Sequence, residues 1–136
     1  MIISKQIYIF LYFIIDKFFH QKRISSYLKK NLKINLFFDI GCHLGNYSDI
    51  IISNYPKAAV YMFEPQKKIF DKIKIKYEKN LNVYIYNLAI SNKKSYQNFY
   101  INKFDVASTL SKINLQDELL KKRARYFGED PSKMIE

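Results

Sequence analysis

A chain of 136 residues suits one domain and is long enough to bury a real core; with 49% hydrophobic and 26% charged residues it is not a disordered chain. The formal net charge is +11, but the lysines are scattered over what read as solvent faces, so the charge is taken as a solvated surface and no nucleic-acid partner is expected. A single cysteine, Cys42, excludes an internal disulfide and fits a reducing, cytoplasmic compartment, and with His20 and His43 the only histidines no metal site of the usual zinc spacing assembles.

In chain order, Ile7 to Ile15 is an unbroken apolar run, too short for a spanning helix, which needs about 20 residues. Asp16, Lys17, Phe18 and Phe19 follow it where a secretory signal would carry a small-residue cleavage site. Ile7, Leu11, Ile14 and Phe18 fall on one helical seam, and Tyr8, Ile9, Tyr12 and Phe13 add more apolar surface than one core face needs. Lys22, Arg23, Lys29, Lys30 and Lys33 come next. Residues 1–33 therefore read as an apolar and basic helical segment with two open roles, a helix laid against the domain that follows or a peripheral membrane contact.

Residues 34–136 read as a separate domain. Within the first segment Ile24 to Asn31 is a short helix; then Asn35 to Ile40 is a buried strand, and Tyr47 to Tyr55 a helix with Tyr47, Ile50, Ile51 and Tyr55 on one face and Asn46 as its N-cap. Ala58 to Phe63 is a second strand closed by Glu64-Pro65. Gln66 to Lys79 is a helix that turns Ile69, Phe70, Ile73 and Tyr77 inward, and Asn82 to Tyr86 is a third strand. Strand, helix, strand, helix, strand predicts a parallel α/β sheet with right-handed crossovers and a ligand beyond the carboxyl ends of its strands. Ser95 to Ile101 reads as an added antiparallel strand beside the third. Leu115 to Tyr126 reads as a helix broken at Gly128 to Pro131.

The chemistry-bearing segment is Asp39-Ile-Gly41-Cys42-His43-Leu-Gly45. Glycine lets the backbone turn sharply out of a strand and approach a ligand closely, and the helix that follows presents N–H groups and the positive end of its dipole to an anionic group. Asp39 can accept from a cationic or N–H group. Glu64, 19 residues beyond Gly45 and at the end of the next strand, stands where a carboxylate can bind ribose hydroxyls. A dinucleotide loop is G-x-G-x-x-G; this loop is G-x-x-x-G and lacks the middle glycine that admits a pyrophosphate, which favours S-adenosylmethionine over a nicotinamide dinucleotide.

Three segments carry a resemblance. Phe37-Phe-Asp39-Ile-Gly41-Cys-His-Leu-Gly45-Asn-Tyr-Ser48 resembles the first motif of FkbM-type methyltransferases, Tyr61-Met-Phe-Glu64-Pro65 their second-strand motif, and Asn87-Leu-Ala89-Ile-Ser91 the stretch after their third strand. The resemblance spans roughly Leu36 to Leu110. It implies a class I, Rossmann-like methyltransferase fold, S-adenosylmethionine as cofactor, and methyl transfer to the hydroxyl oxygen of a small-molecule or glycan acceptor. By position it implies cofactor contacts from Asp39, Gly41, Gly45 and Glu64, with Cys42 and His43 in the loop beside the cofactor and Asn87 and Leu88 near the adenine. No residue is assigned as catalytic base. The family's later Lys-Ile-Asp-x-Glu-Gly motif is not found here. An incomplete sheet is therefore expected, from a truncated or frameshifted gene, a fragment, or a chain completed by a partner polypeptide.

Overall fold

The computed structural model describes residues 15, 19–101, 108–112, 114–128 and 130–134. Of the N-terminal apolar run only Ile15 falls among them, in helical conformation and exposed; the readings placed on residues 7–14 lie outside the described residues. The chain divides into two compact units, residues 1–90 and 91–136.

The first unit is built from α1 (Gln21–Asn31), β1 (Leu36–Ile40), α2 (Asn46–Asn54), β2 (Ala59–Phe63), α3 (Lys67–Lys76) and β3 (Val83–Tyr86). The strands form a parallel sheet in the order β1-β2-β3, with Asp39 opposite Met62, Ile40 opposite Phe63, and Met62 opposite Ile85. Both crossovers step the same way across the sheet, so right-handed connections put α2 and α3 on one face. Period-two alternation then divides the strand residues. Val60 and Met62 point to the helices and are fully buried against Ile51 and Ile73, with Phe37, Val83 and Ile85 packed around them. Phe38, Ile40, Tyr84 and Tyr86 point the other way and remain exposed.

Local chemistry sets the helix limits. Pro56 bars Tyr55 from helical backbone, so α2 ends at Asn54. α3 stops at Lys76, three residues before the predicted end, because Tyr77 leaves the helical region (φ −107°, ψ 11°) and a turn returns the Asn80 N–H to the Tyr77 carbonyl at 2.9 Å. Two expectations for α2 are corrected. Asn46 is the first helical residue rather than the N-cap; Gly45 holds that position in a left-handed conformation. Tyr47, expected inward, is exposed at the first turn, while Ile50 and Ile51 are buried as expected. α1 lies against α2, where the Asn54 side-chain amide donates to Ser25 Oγ at 2.7 Å.

In the second unit the added antiparallel strand is not found. Tyr100 and Thr109 exchange hydrogen bonds of 2.8 and 3.0 Å as an isolated bridge, and residues 95–99 lie outside any strand. Ser95, Tyr96, Gln97 and Asn98 are exposed, and only the apolar end of the segment, Phe99 to Ile101, is half-buried, so no ladder forms along it. The helix here is α4 (Glu118–Phe127), which begins three residues later than predicted because Asp117 caps it, accepting from the N–H groups of Leu119 and Leu120 at 2.9 Å. Gly128, left-handed at φ 66°, closes α4 as the sequence breaker there implied.

Candidate cofactor site

The predicted site residues meet at the carboxyl ends of the three parallel strands. Leaving β1, the chain bonds to the neighbouring strand: the N–H groups of Gly41 and Cys42 both donate to the Phe63 carbonyl, at 2.9 and 3.1 Å. The loop then closes on itself, Gly45 N–H to Cys42 C=O at 2.8 Å, and α2 begins. Glu64 follows Phe63 directly, so its side chain arrives beside this loop.

The two acidic residues are buried and act first on the protein itself. Asp39 is 9% exposed and Glu64 3%. The Ser48 hydroxyl donates to Asp39 Oδ2 at 2.6 Å, and the Ser48 N–H also bonds that carboxylate, so Asp39 reaches from the end of β1 to satisfy the first turn of α2. Glu64 accepts the His43 N–H on Oε2 at 2.9 Å and the Gln66 N–H on Oε1 at 2.8 Å, tying the loop to the start of α3. An ionised carboxylate has about four lone-pair sites. Each therefore keeps acceptor capacity beyond these bonds. Burial is the main influence on Asp39 and raises its pKa above the usual carboxylate value, against which the Ser48 bonds pull it down.

Asn87, just past β3, donates through its side-chain amide to the carbonyls of Glu64 and Pro65 at 2.8 and 2.9 Å, and so fixes the turn that carries Glu64. Leu88 next to it is exposed. The three strand ends are thus linked: β1 to β2 by the loop amides and Glu64, and β2 to β3 by Asn87.

The two loop glycines differ in what surrounds them. Both are left-handed, Gly41 at φ 72° and Gly45 at φ 77°. A Cβ on Gly41 would meet nothing within 4 Å. A Cβ on Gly45 would lie 2.3 Å from the Tyr77 hydroxyl and 2.9 Å from Met62 Cε. Gly41 leaves open space at the rim, whereas Gly45 is glycine because the core and α3 press against it.

His43 sits between them in a left-handed conformation, φ 47°, which is uncommon for a residue with a side chain. Its Nε2 is buried without a hydrogen-bond partner among the described residues. Buried polar atoms are nearly always paired, so this one can take a further partner. Cys42, beside it, turns inward. Its side chain belongs to the core, its N–H donates to the Phe63 carbonyl and its C=O accepts the Gly45 N–H. Burial, with the Asp39 and Glu64 carboxylates nearby, pushes its thiol up to about 12, so it is neither a thiolate nor a nucleophile at neutral pH.

Sequence reasoning missed Ser48 and Gln66 as partners of the two carboxylates. It also missed Asp49, Lys76 and Tyr77, which hold the loop from beneath: Lys76 Nζ donates to the Leu44 carbonyl at 2.9 Å and to Asp49 Oδ2 at 2.6 Å, and the Tyr77 hydroxyl lies 2.9 Å from the Gly45 carbonyl and 2.7 Å from Asp49 Oδ1. Among the described residues no three His, Cys, Asp or Glu side chains are grouped to hold a metal ion, and no helix is long and apolar enough to cross a membrane.

No protein-family model and no curated protein matches the chain. Solved methyltransferase structures resemble part of it. Coclaurine N-methyltransferase, bound to N-methylheliamine and S-adenosylhomocysteine, aligns at 15% identity and TM-score 0.46 over 57% of this chain and 24% of its own. An S-adenosylmethionine-dependent methyltransferase from Clostridium acetobutylicum aligns at 18% and 0.42 over 66% of this chain and 40% of its own. The plantazolicin methyltransferase BpumL, in complex with a monoazolic desmethyl-plantazolicin analogue and S-adenosylhomocysteine, aligns at 18% and 0.41 over 55% and 28%. The chain thus spans between about a quarter and two-fifths of the length of these proteins. Their TM-scores all lie below 0.5, so the functional reading rests on the geometry of the site.

Proposed function

We propose that the chain binds S-adenosylmethionine at the carboxyl rim of its sheet and serves methyl transfer to oxygen in the manner of the FkbM type, with a hydroxyl of a small molecule or glycan as acceptor. One observation supports this above the others: a tightly held loop, open at Gly41, lies between two buried carboxylates at adjacent ends of parallel strands. In this reading Glu64 uses its remaining lone pairs on the ribose hydroxyls, and Asp39 attracts the amino group of the methionine part. The amino end of α2 faces that part's carboxylate, and Leu88 offers apolar surface to the adenine. His43 Nε2 finds its partner on the bound molecule. When bound, the cofactor supplies an electrophilic methyl group; the chain's own residues bind and orient it, and no base for the acceptor hydroxyl is assigned among them.

Titration calorimetry with S-adenosylhomocysteine tests this reading. Saturable one-site binding, weakened at least tenfold in Glu64→Gln, supports it. Absence of binding by the wild-type chain defeats it.

A second reading, a non-catalytic interaction module, draws on a separate observation. The outer sheet face carries no charged residue, and its large side chains are about half exposed, as on surfaces that meet a partner or a membrane. Size-exclusion chromatography and sedimentation with anionic liposomes test it. A monomer that ignores liposomes eliminates it.

A further inference from the structure

The residues beneath the loop belong to no part of the cofactor reading, yet they govern two of its carbonyls. Lys76 and Tyr77 are consecutive at the end of α3, 27 and more residues from the groups they hold. Leu44 and Gly45, the last two loop residues, turn their carbonyls to them, Leu44 to the Lys76 ammonium and Gly45 to the Tyr77 hydroxyl, whose single proton is shared with Asp49 Oδ1. The Gly45 carbonyl also accepts the Asp49 N–H at 2.9 Å, so it runs along the axis of α2. A trans peptide is planar, with C=O and N–H opposed. Fixing the Gly45 carbonyl downward therefore aims the Asn46 N–H out of the amino end of the helix, toward the rim.

Charge makes a second link. Asp49 lies in the first turn of α2. Its negative charge is favourable to the helix dipole but would repel an anion arriving at the same end. Lys76 sits on it at 2.6 Å and also lies 4.8 Å over the Tyr77 ring. The Tyr77 phenol, buried and beside the Asp49 carboxylate, is held well above its ordinary pKa and stays a hydrogen-bond donor.

We propose that Asp49, Lys76 and Tyr77 are positioning residues for the methionine half of the cofactor: Tyr77 fixes the peptide that presents the Asn46 N–H, and Lys76 cancels the Asp49 charge that would repel the ligand carboxylate. The inference rests on the proposed cofactor reading and assigns to its loop a support that discriminates between the two halves of the ligand.

The experiment compares S-adenosylhomocysteine with 5′-methylthioadenosine, which has the adenosyl thioether but no amino-acid carboxylate. Lys76→Met is expected to weaken S-adenosylhomocysteine about two- to fivefold, the span of a single charge at a helix end, and to leave methylthioadenosine within about twofold. Lys76→Met with Asp49→Asn removes both charges and is expected to restore most of the loss. Tyr77→Phe keeps the buried ring and is expected to weaken S-adenosylhomocysteine selectively. Equal weakening of both ligands in Lys76→Met, or a double variant worse than the single one, would reduce the cluster to a structural clamp and overturn the inference. Failure of the wild-type chain to bind either ligand would instead refute the cofactor reading itself. Thermal unfolding of each variant separates a loss of affinity from a loss of fold.

Discussion

The two faces of the sheet are made from the same three strands and share almost nothing else. On the helix side, alternate residues Val60, Met62 and Ile85 meet Ile51 and Ile73, and the most central of these have no exposed surface. On the other side, Phe38, Tyr61, Phe63, Tyr84 and Tyr86 stack on one another, with ring centroids 4.8 Å apart for Tyr61 and Tyr84 and 5.3 Å for Phe63 and Tyr86. Stacked among themselves, these rings turn edges outward and still leave large apolar surface to water. The difference teaches where the folding energy of the first unit resides. One face is a packed interior and the other a half-dry ladder.

The largest expected effect follows from the packed face. Met62→Ala removes a fully buried side chain that touches both the core and the space behind Gly45, and it should cost about 2–5 kcal/mol. Urea denaturation measures it. A cost below about 1 kcal/mol would mean that the inner face collapses around the cavity and that the contrast between faces is weaker than the burial suggests.

Gly45→Ala comes next and sharpens the contrast within the loop. Alanine at either Gly41 or Gly45 pays for a left-handed backbone, roughly 1–2 kcal/mol. At Gly45 the new methyl also meets the Tyr77 hydroxyl and Met62, so the core must shift. Gly45→Ala should therefore be the less stable of the pair in thermal unfolding. Gly41→Ala should fold better and bind S-adenosylhomocysteine worse, since its methyl enters the open rim. Equal melting temperatures would contradict the assignment of Gly45 to packing.

Much of this was legible in the sequence because it is written in local patterns. Short apolar runs at residues 36–40 and 59–63, glycines at 41 and 45, and an acidic residue at the end of each of these two strands give the parallel sheet, its rim and the residues gathered there. What was not legible depends on approach across the fold. Nothing near Asp39 announces that Ser48 will cap it, and nothing near Gly45 announces Tyr77, 32 residues away; Tyr77 read as an inward aromatic, and its hydroxyl gives it the second role. Ser95–Ile101 failed in the opposite sense. Its first four residues stay exposed and Tyr100 makes an isolated bridge to Thr109, so a pattern that read as a strand meets no neighbouring strand.

Asp39 links stability to function with a definite sign. Its folded pKa is raised above the ordinary value of 3.8, so between that value and the raised one the folded state binds more protons than the unfolded state. Stability attributable to Asp39 is then greatest at acid pH and falls as pH rises through this window. Asp39→Asn should flatten that decline while weakening S-adenosylhomocysteine at neutral pH. Unfolding free energies measured from pH 3.5 to 7 in both proteins check it. A wild-type slope unchanged by the substitution would show that other carboxylates dominate.

The smallest effect belongs to the open face, and it decides how the face should be understood. Phe38 keeps 54% of its surface exposed and gains mainly its stacking on Tyr61 at 5.4 Å and Phe63 at 6.5 Å. Cross-strand pairs of this kind contribute about 0.2–1 kcal/mol each. Phe38→Lys should therefore cost no more than about 1 kcal/mol in urea denaturation, several times less than Met62→Ala. It also places a charge on the edge strand of an uncharged surface, so any self-association of the wild-type chain seen in sedimentation velocity should diminish. A Phe38→Lys variant as unstable as Met62→Ala would mean that the outer ladder is itself a core in solution, covered by something that the burial of these rings does not reveal.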